Sequence, residues 1–361
     1  MSSRIAGLSW VTPLGSGVDS VWQHLLAGER APLEKLENEQ NGESYLVNRV
    51  PGDTIKNLPL HPRLRRASAI SRFAAAAGLG AIADAGFAPN LERTAVVFAI
   101  SNGGVIYTRR FYGEIVKSGA QSASPLLFPE TVFNAPASHL AAILGICGAS
   151  YTVVGDGAVG VLGLKLADDL LVSGAVDACL VVAAEEIDPL VCEAYRRWRL
   201  LRSVRTPEST RGMIVSEGAG AILLRRNGRG CEIEKIDPGS NFFRRAEATG
   251  KLRRTLERLE VETASFCIGS ANGTFVDAAE RDALGENVRA YSPKLALGDS
   301  IGASVMWQVI AAVQALRTRR LPRSPNPVGG SRAVVLACGV NQQIGGLALC
   351  SEGEKYAPEL S

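Results

Sequence analysis

The residue types that usually carry nucleophilic or metal chemistry are few and scattered in this chain. None of the cysteines forms a C-x-x-C pair, and there are only three histidines. Zinc and iron–sulfur sites need clustered ligands, so neither is expected, and no metal or other cofactor is predicted. Free cysteine is commonly a small core residue, so Cys147 and Cys338 are expected to be buried and structural. The cysteines are at positions 147, 179, 192, 231, 267, 338 and 350, and the histidines are His24, His61 and His139.

Two Gly-Asp steps come directly before predicted helices. Asp156 precedes a helix predicted for residues 158–173, and Asp299 precedes one that starts at Ser300. Aspartate often caps a helix N-terminus, so capping is favoured over catalysis for both residues.

Lys294 lies five residues before Asp299 in a largely apolar segment. A lysine there is expected to be a buried partner of an acid rather than a base, because pairing offsets the cost of burying charge. The candidate acids are Asp299, Asp277 and Glu280.

The hydrophobic pattern predicts alternating strands and helices, which is typical of α/β architecture. Continuous apolar runs at 94–100, 178–184 and 218–224 indicate strands covered on both faces. The second part of the chain repeats the plan of the first, which indicates an internal duplication. Further strands are predicted at 4–11, 150–154, 265–268, 334–337 and 345–349, helices at 18–28, 65–85, 136–144 and 303–316 with another starting at 280, and a loop at 33–62.

The charge balance and the apolar runs limit the classes of function. The formal net charge is +3, from 39 basic and 36 acidic residues, which gives no electrostatic case for nucleic acid binding. We read no signal peptide at the start of the chain and no apolar stretch long enough for a transmembrane helix. The expectation is a cytoplasmic protein with reduced thiols and no membrane insertion.

Several blocks, taken in order, resemble the β-ketoacyl synthase family of condensing enzymes. The resemblance implies a thiolase-like, five-layer α-β-α-β-α sandwich with internal duplication that normally dimerises. It also implies two similar halves in one compact unit, residues 1–230 and 231–361. The blocks are 5–8 (IAGL), 12–15 (TPLG), 22–28, 71–74 (SRFA), 84–86 (DAG), 124–125, 128–129, 134, 139–140, 144–145, 211–212 (RG), 216–220 (SEGAG), 272–274 (NGT), 277, 280, 294, 298 and 302–303.

The same resemblance implies that the condensing chemistry is absent. The family's nucleophilic cysteine falls on Gly157, and its two catalytic histidines fall on Asn272 and Asp299, whereas the family's lysine is retained as Lys294. A glycine has no side chain to acylate, and asparagine does not shuttle protons near neutral pH. The family's gating loop corresponds to residues 339–344 (GVNQQI), so Asp156, Val340 and Asn341 are possible pocket residues. His139 matches a structural histidine of the family.

Three functions agree with this resemblance. The first is a non-condensing partner of an active ketosynthase, similar to the chain-length factors of type II polyketide, aryl-polyene or fatty acid biosynthesis. The second is an enzyme with a repurposed pocket, in which Asp156, Asn272, Lys294 and Asp299 converge for hydrolysis or transfer of acyl thioesters. The third is a homodimer that binds acyl groups or carrier proteins. The arginine-rich stretch 196–205 is interpreted as a solvated surface, with docking of an acidic acyl carrier protein as the alternative.

Overall fold

The computed structural model describes residues 3–351, which form ten α-helices and fourteen strands. The helices are α1 (Val18–Leu26), α2 (Ala69–Asp84), α3 (Val105–Ser118), α4 (Ala135–Leu144), α5 (Val159–Val172), α6 (Pro189–Arg197), α7 (Ala248–Arg258), α8 (Phe275–Leu284), α9 (Lys294–Leu297) and α10 (Ser304–Thr318). The strands are β1 (Arg4–Thr12), β2 (Gly15–Ser16), β3 (Glu34–Asn38), β4 (Glu43–Asn48), β5 (Thr94–Ile100), β6 (Ser150–Val154), β7 (Ala178–Glu185), β8 (Val215–Ser216), β9 (Gly218–Arg225), β10 (Cys231–Asn241), β11 (Phe266–Ile268), β12 (Ala290–Tyr291), β13 (Arg332–Cys338) and β14 (Gln343–Cys350).

The strand order confirms the predicted duplication. The main sheet runs β12-β11-β13-β14-β10-β1-β9-β7-β5-β6, with β2 paired to β1 outside this path. Numbered within each half, the five strands of both halves follow the same order, 3-2-4-5-1, with the same parallel and antiparallel neighbours. The halves meet through a short antiparallel pairing in which Arg4 lies opposite Glu232 and Ile5 lies opposite Cys231.

Three hydrophobic clusters separate the molecule into five layers, as expected. The central cluster contains α5 and α10 packed between the two halves of the sheet. An outer cluster joins α2 and α4 to the N-terminal strands, and another joins α7 and α8 to the C-terminal strands. Helix α10 is buried along residues 304–316, and the few polar side chains in this stretch form hydrogen bonds inside the protein, as when Gln308 donates to the Gly269 carbonyl.

Burial on both faces also explains the continuous apolar strands. Every residue of β5 and β7 is buried, because helices cover the sheet on either side. Such strands have no polar face, so their hydrophobicity does not alternate. The predicted strands and helices are confirmed, and their observed ends differ from the predicted ends by a few residues.

The sequence patterns did not identify four of the longer elements or the short β2, β8, β12 and α9, and one further segment was predicted wrongly. The stretch 33–62 was predicted to be a loop, but it contains β3 and β4, which join β8 in a separate three-stranded sheet. Strand β3 is mostly exposed, and its exposed residues are polar, which is why its sequence resembles that of a loop. Helices α3 and α6, strand β10 and helix α7 were not identified, since their sequences are charged and only one side of each is covered.

The turn between β9 and β10 contains residue 230. The division of the chain into halves of residues 1–230 and 231–361 remains a proposal.

Among the helices between residues 3 and 351, none combines the length and apolar character that crossing a bilayer requires.

Candidate functional site

The turn Gly155-Asp156-Gly157 joins the end of β6 to the start of α5 at the centre of the molecule. The Val159 amide donates to the Asp156 carbonyl at 2.8 Å, which begins the turn of the helix. Ala158 occupies the N-cap position and supplies no side-chain hydrogen bond. The free amides at this N-terminus therefore face the turn without a capping side chain.

The Asp156 carboxylate binds a loop from the other half of the chain. Its Oδ2 atom accepts hydrogen bonds from the backbone amides of Asn341, Gln342 and Gln343 at 3.0, 3.0 and 3.3 Å. In return, the Asp156 amide donates to Oε1 of Gln343 at 2.7 Å. The expectation that Asp156 caps α5 is therefore wrong, because Ala158 is the N-cap residue and the Asp156 carboxylate accepts from the amides of residues 341–343 instead.

The loop that Asp156 holds also fills the space in front of Gly157. A Cβ atom built on Gly157 would lie 2.9 Å from the Cα atom of Gly339, closer than real Cβ contacts. A Cβ atom on Gly339 would in turn overlap the Asp156 carboxylate. Both positions thus require glycine while the loop stays where it is, and residue 157 has no room for a side chain.

Asn272, Asp299 and Lys294 form a second, separate network. The Asn272 amide group donates to Oδ2 of Asp299 at 2.7 Å, and Lys294 Nζ donates to the same oxygen at 3.2 Å. All three residues are at least 95% buried. The predicted pairing of Lys294 with an acid is confirmed, and its partner is Asp299.

Asp299 organises the approach to α10 rather than capping a helix that starts at Ser300. Its Oδ1 atom accepts from the Ile301 amide at 3.0 Å and from the Ser304 hydroxyl at 2.9 Å. Helix α10 begins only at Ser304, with Ala303 as its N-cap residue. The prediction that Asp299 caps a helix starting at Ser300 is therefore wrong. The aspartate instead stabilises the turn that precedes α10.

The Asn272 side chain has little freedom to take part in chemistry. Its Oδ1 atom accepts from the Thr274 hydroxyl at 2.6 Å, while its backbone amide donates to Asp277 at 2.7 Å. Asp156 makes no hydrogen bond to this network among the described residues. The four residues proposed to converge in a repurposed pocket are thus divided between two sites, the β13–β14 loop and the network around Asp299.

A cavity of about 500 Å³ opens beside the Asp156 turn. Asp156 and Asn341 line it, together with Asn102 after β5 and Tyr195 and Trp198 on and after α6. Val340, which was also predicted to be a pocket residue, is instead buried in the outer cluster of the C-terminal half. Sequence reasoning missed the contribution of α6, although Asp188 followed by Pro189 is a typical helix start, and the Asp188 side chain does accept from the Leu190 amide.

The cysteines near the site differ in their burial. Cys338 is fully buried, and burial raises the pKa of its thiol, so that the reactive thiolate is disfavoured. Cys147 is exposed, and the expectation of its burial is wrong. It lies in the turn after α4, where its amide donates to the carbonyl of Leu91 at the edge of the fold. His139 binds Glu130 at 2.7 Å within the scaffold, as expected for a structural residue.

Two buried glutamates at the end of β7 hold the segments beside the cavity. Glu185 accepts from the amides of Ser101 and Asn102, and Glu186 accepts from the amides of Ile70 and Ile106. Burial raises the pKa of Glu185 to about 8 and that of Glu186 to about 7, because the charged form loses its hydration. Both carboxyls therefore change protonation near neutral pH.

We predict that replacing Gly157 with cysteine destabilises the protein. The new side chain meets the backbone of Gly339, and such overpacking costs about 1–3 kcal/mol in the free energy of unfolding. Gly113→Cys is the matched control, because a Cβ atom at Gly113 meets nothing within 4 Å. Urea unfolding of both variants measures the difference. Equal stability of the two variants would contradict the close contact at residue 157.

We predict that stability falls as pH rises from about 5 to about 9. Glu185 has a folded-state pKa of about 8, above the ordinary 4.5, so the folded protein binds more protons than the unfolded chain between these values. The resulting slope is at most about 1.4 kcal/mol per pH unit for each such group. Glu185→Gln should flatten the profile measured by urea unfolding, whereas Glu92→Gln, at an exposed site, should leave it unchanged. An unchanged profile in Glu185→Gln would rule out this titration.

Comparisons with known proteins agree with the fold and with the order of the sequence blocks. The family model "Beta-ketoacyl synthase, N-terminal domain" matches residues 4–229. The 3-oxoacyl-[acyl-carrier-protein] synthase 2 of Vibrio cholerae is 24% identical over 243 residues, which is 62% of this chain and 58% of that synthase. This chain thus spans less than two thirds of the length of that relative.

Solved structures match nearly the whole chain. The ishigamide ketosynthase/chain length factor has a TM-score of 0.79 and 21% identity, covering 98% of this chain and 100% of that one. The ketosynthase ApeO in complex with its chain length factor ApeC, from Xenorhabdus doucetiae, has a TM-score of 0.77 and 16% identity, covering 97% and 98%. At such identities the likeness shows a shared fold. Because the family model matches more than half of the sequence, the chain belongs to the β-ketoacyl synthase family.

Proposed function

We propose that this chain is a non-condensing partner of an active ketosynthase, similar to a chain-length factor, in type II polyketide, aryl-polyene or fatty acid biosynthesis. One observation carries the proposal. The residue expected at the nucleophile position is Gly157, and the Cα atom of Gly339 leaves no room for a side chain there. Without a side chain, residue 157 cannot form the covalent acyl intermediate of condensation.

The network around Asp299 supports the same function. Asn272 and Asp299 stand where the resemblance expects two histidines, and neither residue can replace a neutral imidazole as a proton shuttle and hydrogen-bond donor. Lys294 and Asn272 both donate to Asp299, so the polar groups satisfy one another in the interior. In this arrangement Asn272, Lys294 and Asp299 bind one another, and none of the three is free for acid–base chemistry on a substrate.

The surface beside the Asp156 turn supports pairing with a second protein. Strand β6 is the outermost strand of the main sheet, so one of its edges has no neighbouring strand among residues 3–351. Tyr151 and Val154 on this strand are 43% and 49% exposed. Exposed apolar side chains continue on α3 and on the segment before α4, at Tyr112, Val116, Leu126, Phe128, Val132 and Phe133. An open strand edge with an apolar surround is typical of a protein interface.

The similar solved structures indicate the kind of partner that would cover this edge. One contains a ketosynthase in complex with its chain length factor, and the other is described as a ketosynthase/chain length factor. We therefore favour a heterodimer with an active ketosynthase over a homodimer of this chain. A cytoplasmic location remains a prediction from the sequence.

An acyl carrier protein is the proposed third component. A groove of about 740 Å³ lies next to Thr274 and the start of α8, and four arginines line it. Within residues 3–351, Asp277 is the only acidic residue in that lining, so the groove favours an acidic partner. The arginines are Arg199, Arg211, Arg245 and Arg281. Within the stretch 196–205, Arg196 and Arg197 instead bind Glu193 on the surface of α6.

The repurposed enzyme is the second candidate and receives less support. It requires Asp156, Asn272, Lys294 and Asp299 to converge on a substrate. Asp156 binds the β13–β14 loop, whereas the other three residues bind one another in the interior. A substrate would have to displace these hydrogen bonds before reaching any of the groups.

We predict that a charge on the edge strand breaks the heterodimer. Val154→Lys places a lysine on the apolar surface of β6, where burial against a partner would cost the hydration of the ammonium group. Val172→Lys is the matched control, because Val172 is also 49% exposed but lies at the far end of α5. The test is co-expression of each form with the ketosynthase encoded nearby, followed by copurification and analysis of the acyl products.

The unaltered chain and Val172→Lys should copurify with the ketosynthase and restore or redirect its products, and Val154→Lys should reduce the complex by at least about tenfold, equivalent to about 1.4 kcal/mol. No complex with any nearby ketosynthase would overturn the proposal. Condensation of malonyl units by the isolated chain would overturn it as well.

A further inference from the structure

The cavity beside the Asp156 turn has an unusual charge pattern. It is bounded by the loop after β5, by α6 and by the β13–β14 loop, and its volume is about 500 Å³. Among the residues that the structure describes, Asp156 is the only charged one in its lining, and no lysine or arginine lines it. A pocket of this size is large enough for a small organic ligand.

One oxygen of Asp156 lacks a donor. The residue is 95% buried, and while Oδ2 accepts from three amides, Oδ1 accepts no hydrogen bond from any residue between 3 and 351. Buried carboxylate oxygens normally have partners, because an unsatisfied buried polar group costs about 1–3 kcal/mol. Asp156 therefore offers an acceptor to a donor that comes from outside the described chain.

The charge of Asp156 acts on Tyr195, which also lines the cavity. Burial raises the pKa of the Tyr195 phenol well above the usual value, and among the nearby charges Asp156 raises it most. The same charge disfavours any anion and favours a cation, since unlike charges attract strongly where water is excluded. A fatty acid carboxylate would meet repulsion at this place.

An aromatic and apolar mouth completes the site. Trp198 is 48% exposed and lies edge-on to Tyr195, with ring centroids 5.6 Å apart. Leu190, which is 55% exposed, also lines the cavity. An indole ring attracts cations through its face, and apolar side chains beside it can cover an alkyl stem.

We infer that this cavity binds a small organic cation, a primary ammonium group on a short apolar stem, with the ammonium directed to Asp156 and the stem against Trp198. The inference is tested on the isolated chain, because Val154, which the proposed partner would cover, also lines this cavity. Binding requires a small adjustment of the side chains around Oδ1 of Asp156, because this atom is enclosed in the unliganded protein.

The test is calorimetric titration of the isolated full chain with three probes of equal length: n-hexylammonium, n-hexanol and n-hexanoate. Hexylammonium should bind at least about tenfold more tightly than hexanol, because a hydrogen bond between charged groups is stronger than one from a neutral hydroxyl. Hexanoate should bind more weakly still. Comparable binding of all three probes, or no binding of hexylammonium, would overturn the inference.

Two variants separate the contribution of the Asp156 charge to binding from that of the apolar contact with Trp198. Asp156→Asn keeps the size of the side chain but removes its charge, and hexylammonium should lose its preference over hexanol. Trp198→Leu leaves the contacts of Asp156 with the β13–β14 loop in place. It should weaken hexylammonium and hexanol alike by severalfold, because leucine covers less of the alkyl stem than the indole ring does.

Circular dichroism and thermal melting confirm whether each variant is folded. If Asp156→Asn does not fold, the probe series on the unaltered chain and on Trp198→Leu still decides the question. Folded Asp156→Asn that keeps the full preference for hexylammonium would show that the cation is not held by this carboxylate. Unchanged affinity in Trp198→Leu would exclude the proposed position of the stem.

Discussion

The hydrogen bonds between the Asp156 carboxylate and the amides of residues 341–343 determine the character of the site. They join the start of α5, in the N-terminal half, to the β13–β14 loop of the C-terminal half. The loop position that results brings Gly339 against Gly157, so two glycine backbones are in contact at the position to which the sequence resemblance assigns the nucleophile. A single carboxylate thus helps to hold the helix N-terminus closed.

The duplicated fold makes this contact possible. The N-terminal half supplies the turn after its third strand, β6, and the C-terminal half supplies the connection between its fourth and fifth strands, β13 and β14. The two central helices, α5 and α10, lie between the halves. The turn after β6 and the loop after β13 are therefore neighbours in space although they are almost two hundred residues apart. The network of Asn272, Lys294 and Asp299 lies in the C-terminal half near the start of α10 and is stabilised independently of Asp156.

Local patterns predicted the elements that are buried on both sides and missed those that depend on tertiary contacts. The apolar runs of β5 and β7 and the helix around residues 303–316 were identifiable, because burial leaves a continuous hydrophobic signal. The role of Asp156 was not, since aspartate before a helix predicts a cap, and only the fold brings the amides of 341–343 within reach. For Lys294 the general cost of a buried charge was sufficient to predict an acidic partner. The exposed Cys147 shows the limit of residue-type preferences, because its burial depends on how the turn after α4 lies on the surface.

The central claim is that residue 157 carries no acyl group while the chain takes part in biosynthesis. Intact-protein mass spectrometry of the reconstituted pair, quenched during turnover, measures this directly for both subunits at once. The account predicts acyl adducts on the ketosynthase and the unmodified mass for this chain. An acyl adduct on this chain at a level that matches turnover would contradict it.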